Sequence, residues 1–159
     1  MILRYAYRKT FLFMLPLFIL LLAGLAGSAV DDIEEHRSCA FCGMDRKAYG
    51  FSRMLIQYDD GTEAGVCSLH CAVTELDANK DRKVKALLVA DREDRTLVPA
   101  ETAIWVIGGS KRGVMTQRPK WAFRTQAAAE HFVKAYGGSI ITWNEALAAA
   151  REDAVPAKR

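Results

Sequence analysis

Four cysteines in two close pairs constrain the fold of this chain more than any other feature. Cys39 and Cys42 are separated by two residues, Cys67 and Cys71 by three, and 24 residues lie between the pairs. A chelating site needs such pairs, because each short segment then supplies two donor atoms. The spacing therefore predicts that the segments near residues 40 and 70 converge in the folded domain.

Three kinds of site fit this pattern. Disulfides are common in exported proteins with an even number of cysteines. A bridge within either pair closes too short a loop to stabilise the fold much, whereas a bridge from Cys39 or Cys42 to Cys67 or Cys71 would stabilise it more. Four thiolates can instead enclose Zn(II) tetrahedrally, and Cys-x2-Cys followed by Gly43 is typical of zinc turns. The third alternative is a soft ion such as Cu(I), which favours thiolate and thioether ligands.

Two methionines and one histidine extend the candidate ligand set. Met44 directly follows the first cysteine pair, and Met115 lies in the polar loop 110–120, where no apolar pattern explains it. A thioether binds Cu(I) and needs no deprotonation, whereas it is a poor ligand for zinc. His70, between Cys67 and Cys71, is a possible further ligand, while His36 is expected to be solvated in a linker.

The N-terminal segment has the layout of a secretory signal. Three basic residues precede an uncharged run from Phe11 to Val30, and small residues stand before a possible cleavage point after Ala29. An uncleaved anchor over residues 11–30 is the alternative, because about 20 apolar residues can span a bilayer. In both cases we expect an exported protein, in a bacterial periplasm, that meets the membrane only through this segment if it is retained.

The charge distribution argues against a nucleic-acid partner. Three of the 22 Lys and Arg residues precede residue 30 and none of the 19 acidic residues does, so the exported part has a formal net charge of zero. No basic surface for nucleic acid is expected. The chain also has no phosphate-binding loop or nucleophile elbow, so we expect a binding protein and not an enzyme.

The pattern of apolar residues predicts a small α+β domain of four to six strands and two or three helices. We assign residues 1–29 to the signal or anchor, 30–37 to a linker, 38–150 to a metal-binding domain and 151–159 to a flexible tail. Strands are expected in a hairpin over 52–66 that turns at Asp60-Gly61, and over 84–91, 101–109 and 139–143. Helices are expected over 69–80 with Ser68 as N-cap, over 126–136 between Thr125 and Gly137, and over 144–154.

Several segments together resemble the nitrous-oxide-reductase accessory protein family, NosL, with its NosL/MerB-like fold. They are the triplet Cys42-Gly43-Met44, the hairpin with "DDG", "WVIGGSKRGVM" and "WAFRTQAAAEHFVKAYGG", spread over Cys39 to Leu147. The resemblance implies a ferredoxin-like α+β unit that acts as a periplasmic Cu(I) metallochaperone. It also implies partners: a copper-enzyme client such as nitrous oxide reductase, and a membrane ABC-type maturation complex.

The second cysteine pair exceeds what the NosL pattern requires. The segment "CSLHC" resembles the cysteine-rich half of TRASH/YHS-like metal-binding modules. The predicted Cu(I) ligands are Cys39, Cys42, Met44, Cys67, Cys71 and Met115, of which we expect two to four to bind at once. A structural Zn(II) or disulfide module that mediates protein–protein interaction or senses a thiophilic metal is the alternative.

Overall fold

The computed structural model describes residues 31–154, which form two small antiparallel sheets and four helices. The predicted signal or anchor, residues 1–29, lies outside the described residues. The strands are β1 (Met54–Tyr58), β2 (Glu63–Val66), β3 (Val84–Ala90), β4 (Leu97–Pro99), β5 (Ile104–Ile107), β6 (Lys120–Phe123) and β7 (Ser139–Ile141). The helices are α1 (Asp32–Glu35), α2 (Leu69–Ala78), α3 (Gln126–Tyr136) and α4 (Trp143–Ala154). Within residues 31–154, none of the helices is long and apolar enough to cross a membrane.

The first sheet has the strand order β2-β1-β3-β4 and contains the predicted hairpin. Met54 pairs with Val66 and Gln57 with Glu63, so the turn falls at Asp60-Gly61 as expected. Ser68 then caps α2, because its side chain accepts a hydrogen bond from the backbone N–H of Cys71. The hairpin and this cap together decide where the second cysteine pair lies.

The second sheet has the order β6-β5-β7, with β5 and β6 largely buried on both faces and β7 mostly exposed. Successive side chains of a strand point to opposite faces, so Trp105 joins the larger core while Val106 joins a smaller one with Phe132 of α3. Trp105 also donates a hydrogen bond to the carbonyl of Ala100, at 2.8 Å, and stacks against Trp143 of α4. The larger core contains all four cysteines or packs directly against them.

The segment expected to be a linker is instead fastened to the domain. Its residues Asp32–Glu35 form α1, with Asp31 as N-cap. The Asp32 carboxylate binds two arginines at once, Arg46 at 2.7 Å and Arg53 at 2.8 Å, whose side chains are 0% and 8% exposed. A buried guanidinium needs a counter-ion, and the acidic segment supplies it.

The α+β class is confirmed, with differences at individual elements. The short strands β4 and β6 were not predicted, and β6 lies at the end of what was expected to be a loop. Both owe their conformation to pairing with a neighbouring strand, which a local pattern does not reveal. The predicted tail begins too early, because α4 continues to Ala154.

Candidate metal centre

The first cysteine pair lies in a tight loop between Ser38 and Asp45, which form an isolated antiparallel bridge. Inside the loop the N–H of Cys39 donates to the carbonyl of Met44 at 2.8 Å, and the N–H of Gly43 donates back to the carbonyl of Cys39 at 2.9 Å. Gly43 has a φ of +75°, a conformation that a residue with a side chain adopts only with strain. The glycine of the Cys-x2-Cys-Gly sequence thus allows the tight loop in which the sulfurs of Cys39 and Cys42 lie on the same side.

The second cysteine pair lies at the junction between the end of β2 and the start of α2. Cys67 follows the last residue of β2, and Cys71 lies in the first turn of α2 behind its cap. The N–H of Ala40 donates to the carbonyl of Gly65 at 2.8 Å and so ties the cysteine loop to β2. The predicted convergence of the two segments therefore rests on a backbone contact.

The four sulfurs form one compact cluster, with every pair of Sγ atoms within 4.8 Å. Cys67 Sγ lies 3.5 Å from Cys71 Sγ and 3.6 Å from Cys42 Sγ, and Cys71 Sγ lies 3.8 Å from Cys42 Sγ. These separations exceed the ~2.05 Å of a disulfide, and all four cysteines are free. A tetrahedral site with metal–sulfur bonds of ~2.3 Å requires sulfurs about 3.8 Å apart, a spacing close to that of Cys42, Cys67 and Cys71, and Cys39 lies near enough to complete it.

Solvent reaches the cluster from one side. Cys39 is 3% exposed and both Cys67 and Cys71 are 0% exposed, whereas Cys42 is only half-buried. Phe41, next to Cys42 in the loop, is 46% exposed and meets the His70 ring edge-on. An ion or a partner ligand therefore reaches the sulfurs at Cys42.

Three of the thiols shift one another's pKa. Thiol donors on Cys67 and Cys71 hold the pKa of Cys39 far below its usual range, and the backbone N–H groups of Cys42 and Cys67 assist. The same hydrogen bond to Cys39 raises the pKa of Cys67 to about 12, and the pKa of Cys71 is raised by its contacts with Cys39 and Cys67. A cation that binds all four sulfurs must therefore displace protons.

Positive charge lies close behind the cluster. Arg46 is fully buried, and this burial lowers its pKa, while the Asp32 carboxylate and, to a smaller degree, a Cys39 thiolate raise it. An arginine keeps its charge in proteins, so Arg46 favours thiolate at Cys39. Neither Arg46 nor its partner Asp32 was predicted as part of the site, and no sequence motif marks them.

The two predicted methionine ligands lie in different surroundings. Met44 is half-buried against the core that contains the cysteines. Met115 is 43% exposed, with a φ of +58°, and lines an open depression with Arg112 and Asp153 that no cysteine of the described residues borders. Ligation by either methionine stays a prediction.

His70 lies beside the cluster but is not among the described groups whose donor atoms fall within 4.8 Å of the sulfurs. Its Nδ1 is buried without a hydrogen-bond partner in the described part of the chain. Burial lowers the pKa of His70, and the charge of Lys120 lowers it further, so the ring stays neutral. Its role as a ligand also stays a prediction.

Four free thiols set on one side of a small α+β domain define a thiolate metal-binding protein. A comparison with protein families finds a match to NosL over residues 29–150, and the chain belongs to the NosL family. The fold is similar to the crystal structure of the copper chaperone NosL from Shewanella denitrificans, with a TM-score of 0.58 and 23% identity. The match covers 75% of this chain and 96% of that one. A comparison with curated proteins finds no match.

Proposed function

We propose that this protein is a copper chaperone that holds Cu(I) in the cluster of Cys39, Cys42, Cys67 and Cys71 and passes it to a client by ligand exchange. The observation that carries the proposal is the convergence of four free sulfurs with one of them half-buried. Membership of the NosL family and the likeness to a copper chaperone support it. The role is binding and transfer and not catalysis.

The exposure of the four sulfurs suits stepwise transfer. Cys42 is the cysteine that an incoming ligand can reach, so exchange begins there while the buried sulfurs still hold the ion. Cu(I) is stable with two or three soft ligands, and losing one sulfur need not release it. Met44, which follows Cys42 by two residues and packs against the core that contains the cysteines, would supply a thioether when Cys42 leaves.

A structural zinc site is the second candidate. The sulfur separations of 3.5–3.8 Å favour it, because four thiolates around Zn(II) need about 3.8 Å. Such a site would stabilise the domain and leave an adjoining surface free for a protein partner. The half-buried Cys42 counts against it, since a structural site gains nothing from an open side.

We also propose the compartment and the partners. The leader composition supports export to a periplasm, with residues 11–30 as an anchor if they are retained. Family membership supports a copper-enzyme client such as nitrous oxide reductase and a membrane ABC-type maturation complex. Co-purification with the client, lost on Cys42→Ser, tests this part.

Metal competition separates the two candidates. The reduced protein is titrated anaerobically with Cu(I) and, separately, with Zn(II), each against a chromophoric chelator. We expect Cu(I) to bind with one strong event that Cys42→Ser weakens at least about tenfold, which is about 1.4 kcal/mol. Met44→Leu should weaken the binding of Cu(I) and not that of Zn(II). Met115→Leu is the matched control, because Met115 lines a depression that no described cysteine borders.

The outcomes are distinct. Preferential Zn(II) binding that neither methionine variant affects, with no Cu(I) released to a soft-ligand acceptor, would establish the structural site and overturn the chaperone. Equal losses from Met44→Leu and Met115→Leu would show that the Met115 loop folds over the cluster. Retention of full Cu(I) affinity in Cys42→Ser would refute transfer through Cys42.

A further inference from the structure

A second group of metal-binding atoms lies where the end of α1 meets β2. Glu35, His36 and Glu63 each offer one ligand atom, and these atoms lie within 4.8 Å of one another. His36 Nε2 is 3.4 Å from Glu63 Oε2, and the two side chains are 21% and 26% exposed. His36 was expected to be solvated in a linker, and the structure instead places it against β2.

The surrounding structure holds this group in position. His36 is the C-cap of α1, and its carbonyl accepts a hydrogen bond from Arg46 at 2.6 Å. Gln57, the strand partner of Glu63, donates to Glu63 Oε1 at 2.6 Å, which leaves Oε2 facing the imidazole. A carboxylate oriented by a second side chain in this way is typical of metal ligands.

The close approach of His36 to β2 depends on Gly65. A Cβ at that position would lie 2.5 Å from the Cβ of His36 and 2.6 Å from the Arg46 guanidinium. Gly65 and Glu63 are two residues apart and therefore face the same side of β2. Gly65 thus leaves room on the strand for His36 to lie next to the Glu63 carboxylate, with which it can bind one metal ion.

We propose that Glu35, His36 and Glu63 form a second metal site, for a divalent first-row cation such as Zn(II) or Cu(II). One imidazole and two carboxylates suit such ions, whereas Cu(I) favours sulfur. Ligand bonds of ~2.0–2.2 Å in tetrahedral geometry place donor atoms about 3.4 Å apart, which His36 and Glu63 already satisfy. The exposed Glu35 closes the third position by a side-chain movement, and water completes the coordination.

The two sites are separate. Cys67 follows Glu63 by four residues along the direction of β2, which is about 13 Å at ~3.3 Å per residue. Arg46 lies between them, and its charge is balanced by Asp32, so the carboxylates of Glu35 and Glu63 keep the local charge negative. The protein can therefore hold a soft ion and a borderline ion at the same time.

Zn(II) titration of the full chain against a chromophoric chelator tests the second site. We expect two binding events: a tight one that Cys42→Ser weakens, and a weaker one that His36→Ala and Glu63→Gln each reduce at least tenfold. His131→Ala is the matched control, because His131 is an exposed histidine on α3. Gln57→Ala, which frees Glu63 without removing a ligand, should reduce the weaker event by a few-fold. The ring ¹⁵N signals of His36 should shift on adding the second equivalent.

The weaker event must depend on these side chains. Absence of the weaker Zn(II) event in the wild-type chain, or a weaker event that persists in His36→Ala and Glu63→Gln, overturns the second site and leaves an ordinary polar contact between His36 and Glu63. Loss of the weaker event in His131→Ala would also overturn it. If the separate Cu(I) titration shows no strong binding while the weaker Zn(II) event remains and depends on His36 and Glu63, the copper proposal fails while the second site stands. Circular dichroism of each variant verifies that the fold is retained.

Discussion

Removing the charge of Asp32 should destabilise the domain strongly, although the residue is in a segment that the sequence presents as a linker. In Asp32→Asn the shape is kept, but Arg46 and Arg53 lose their shared counter-ion. Removing one partner from a buried ion pair costs about 3–5 kcal/mol. The Arg46 guanidinium keeps its bonds to the carbonyls of Met54 and Val66, so we expect about 3 kcal/mol.

Urea unfolding measured by circular dichroism, under reduction and with a chelator present, gives this difference as a shift in midpoint. For a domain of this size, about 3 kcal/mol corresponds to roughly 10 °C in melting temperature. Asp77→Asn is the control, because its pair with Arg151 is 3.7 Å long and more than half exposed on both sides. That control should change stability by less than about 0.5 kcal/mol.

The effect also has a defined pH dependence. Burial raises the pKa of Asp32, but Arg53 and Arg46 outweigh it and the net pKa is lowered. The ionic contribution is therefore present above the unfolded pKa near 4 and is lost as the pH falls through the folded pKa. Wild type and Asp32→Asn should converge in acid. Equal midpoints for Asp32→Asn and Asp77→Asn at neutral pH would refute the anchoring role.

Three further outcomes are expected. In native protein without metal, iodoacetamide should modify Cys42 first and Cys71 only after unfolding, because Cys71 is 0% exposed. Mass spectrometry that finds both cysteines modified at the same rate would contradict this order of reactivity. Gly65→Ala should lower the free energy of unfolding by about 1–3 kcal/mol through overpacking, and an unchanged urea midpoint would show that the neighbours move freely. Burial raises the pKa of Asp153, but hydrogen bonds, the strongest of them from Lys120, lower it to about 2. Asp153→Asn should therefore reduce the free energy of unfolding by about 1–2 kcal/mol above pH 4 and by progressively less toward pH 2. A constant loss across that range in urea unfolding would contradict a stabilising role for the Asp153 carboxylate.

The sequence predicted the local geometry of each cysteine pair, because that constraint acts over a few residues. The loop around Gly43 and the Ser68 cap are both encoded within a few residues, and both are present. The hairpin at Asp60-Gly61 was equally predictable from its turn chemistry. Such short motifs fix the backbone around each pair, whereas the meeting of the two pairs depends on the contact between Ala40 and Gly65.

The sequence could not predict contacts that depend on distant partners. Asp32 and His36 lie in a polar, acidic stretch that resembles a linker, and only β2 and the two buried arginines give them fixed positions. Met115 was grouped with the cysteines because of its chemistry, and the contacts of the following residues Thr116, Arg118 and Lys120 with Asp153 of α4 could not be read from that pattern; its role as a ligand stays a prediction.

The chain by itself determined which donor atoms exist, their pairing into chelating segments, and the α+β class that holds them, because spacing, caps and turns act over a few residues. Tertiary structure decided which donors meet, which sulfur stays accessible, and which acid neutralises the arginines. Those outcomes depend on burial and on charges brought together from remote positions, and neither property belongs to any one segment.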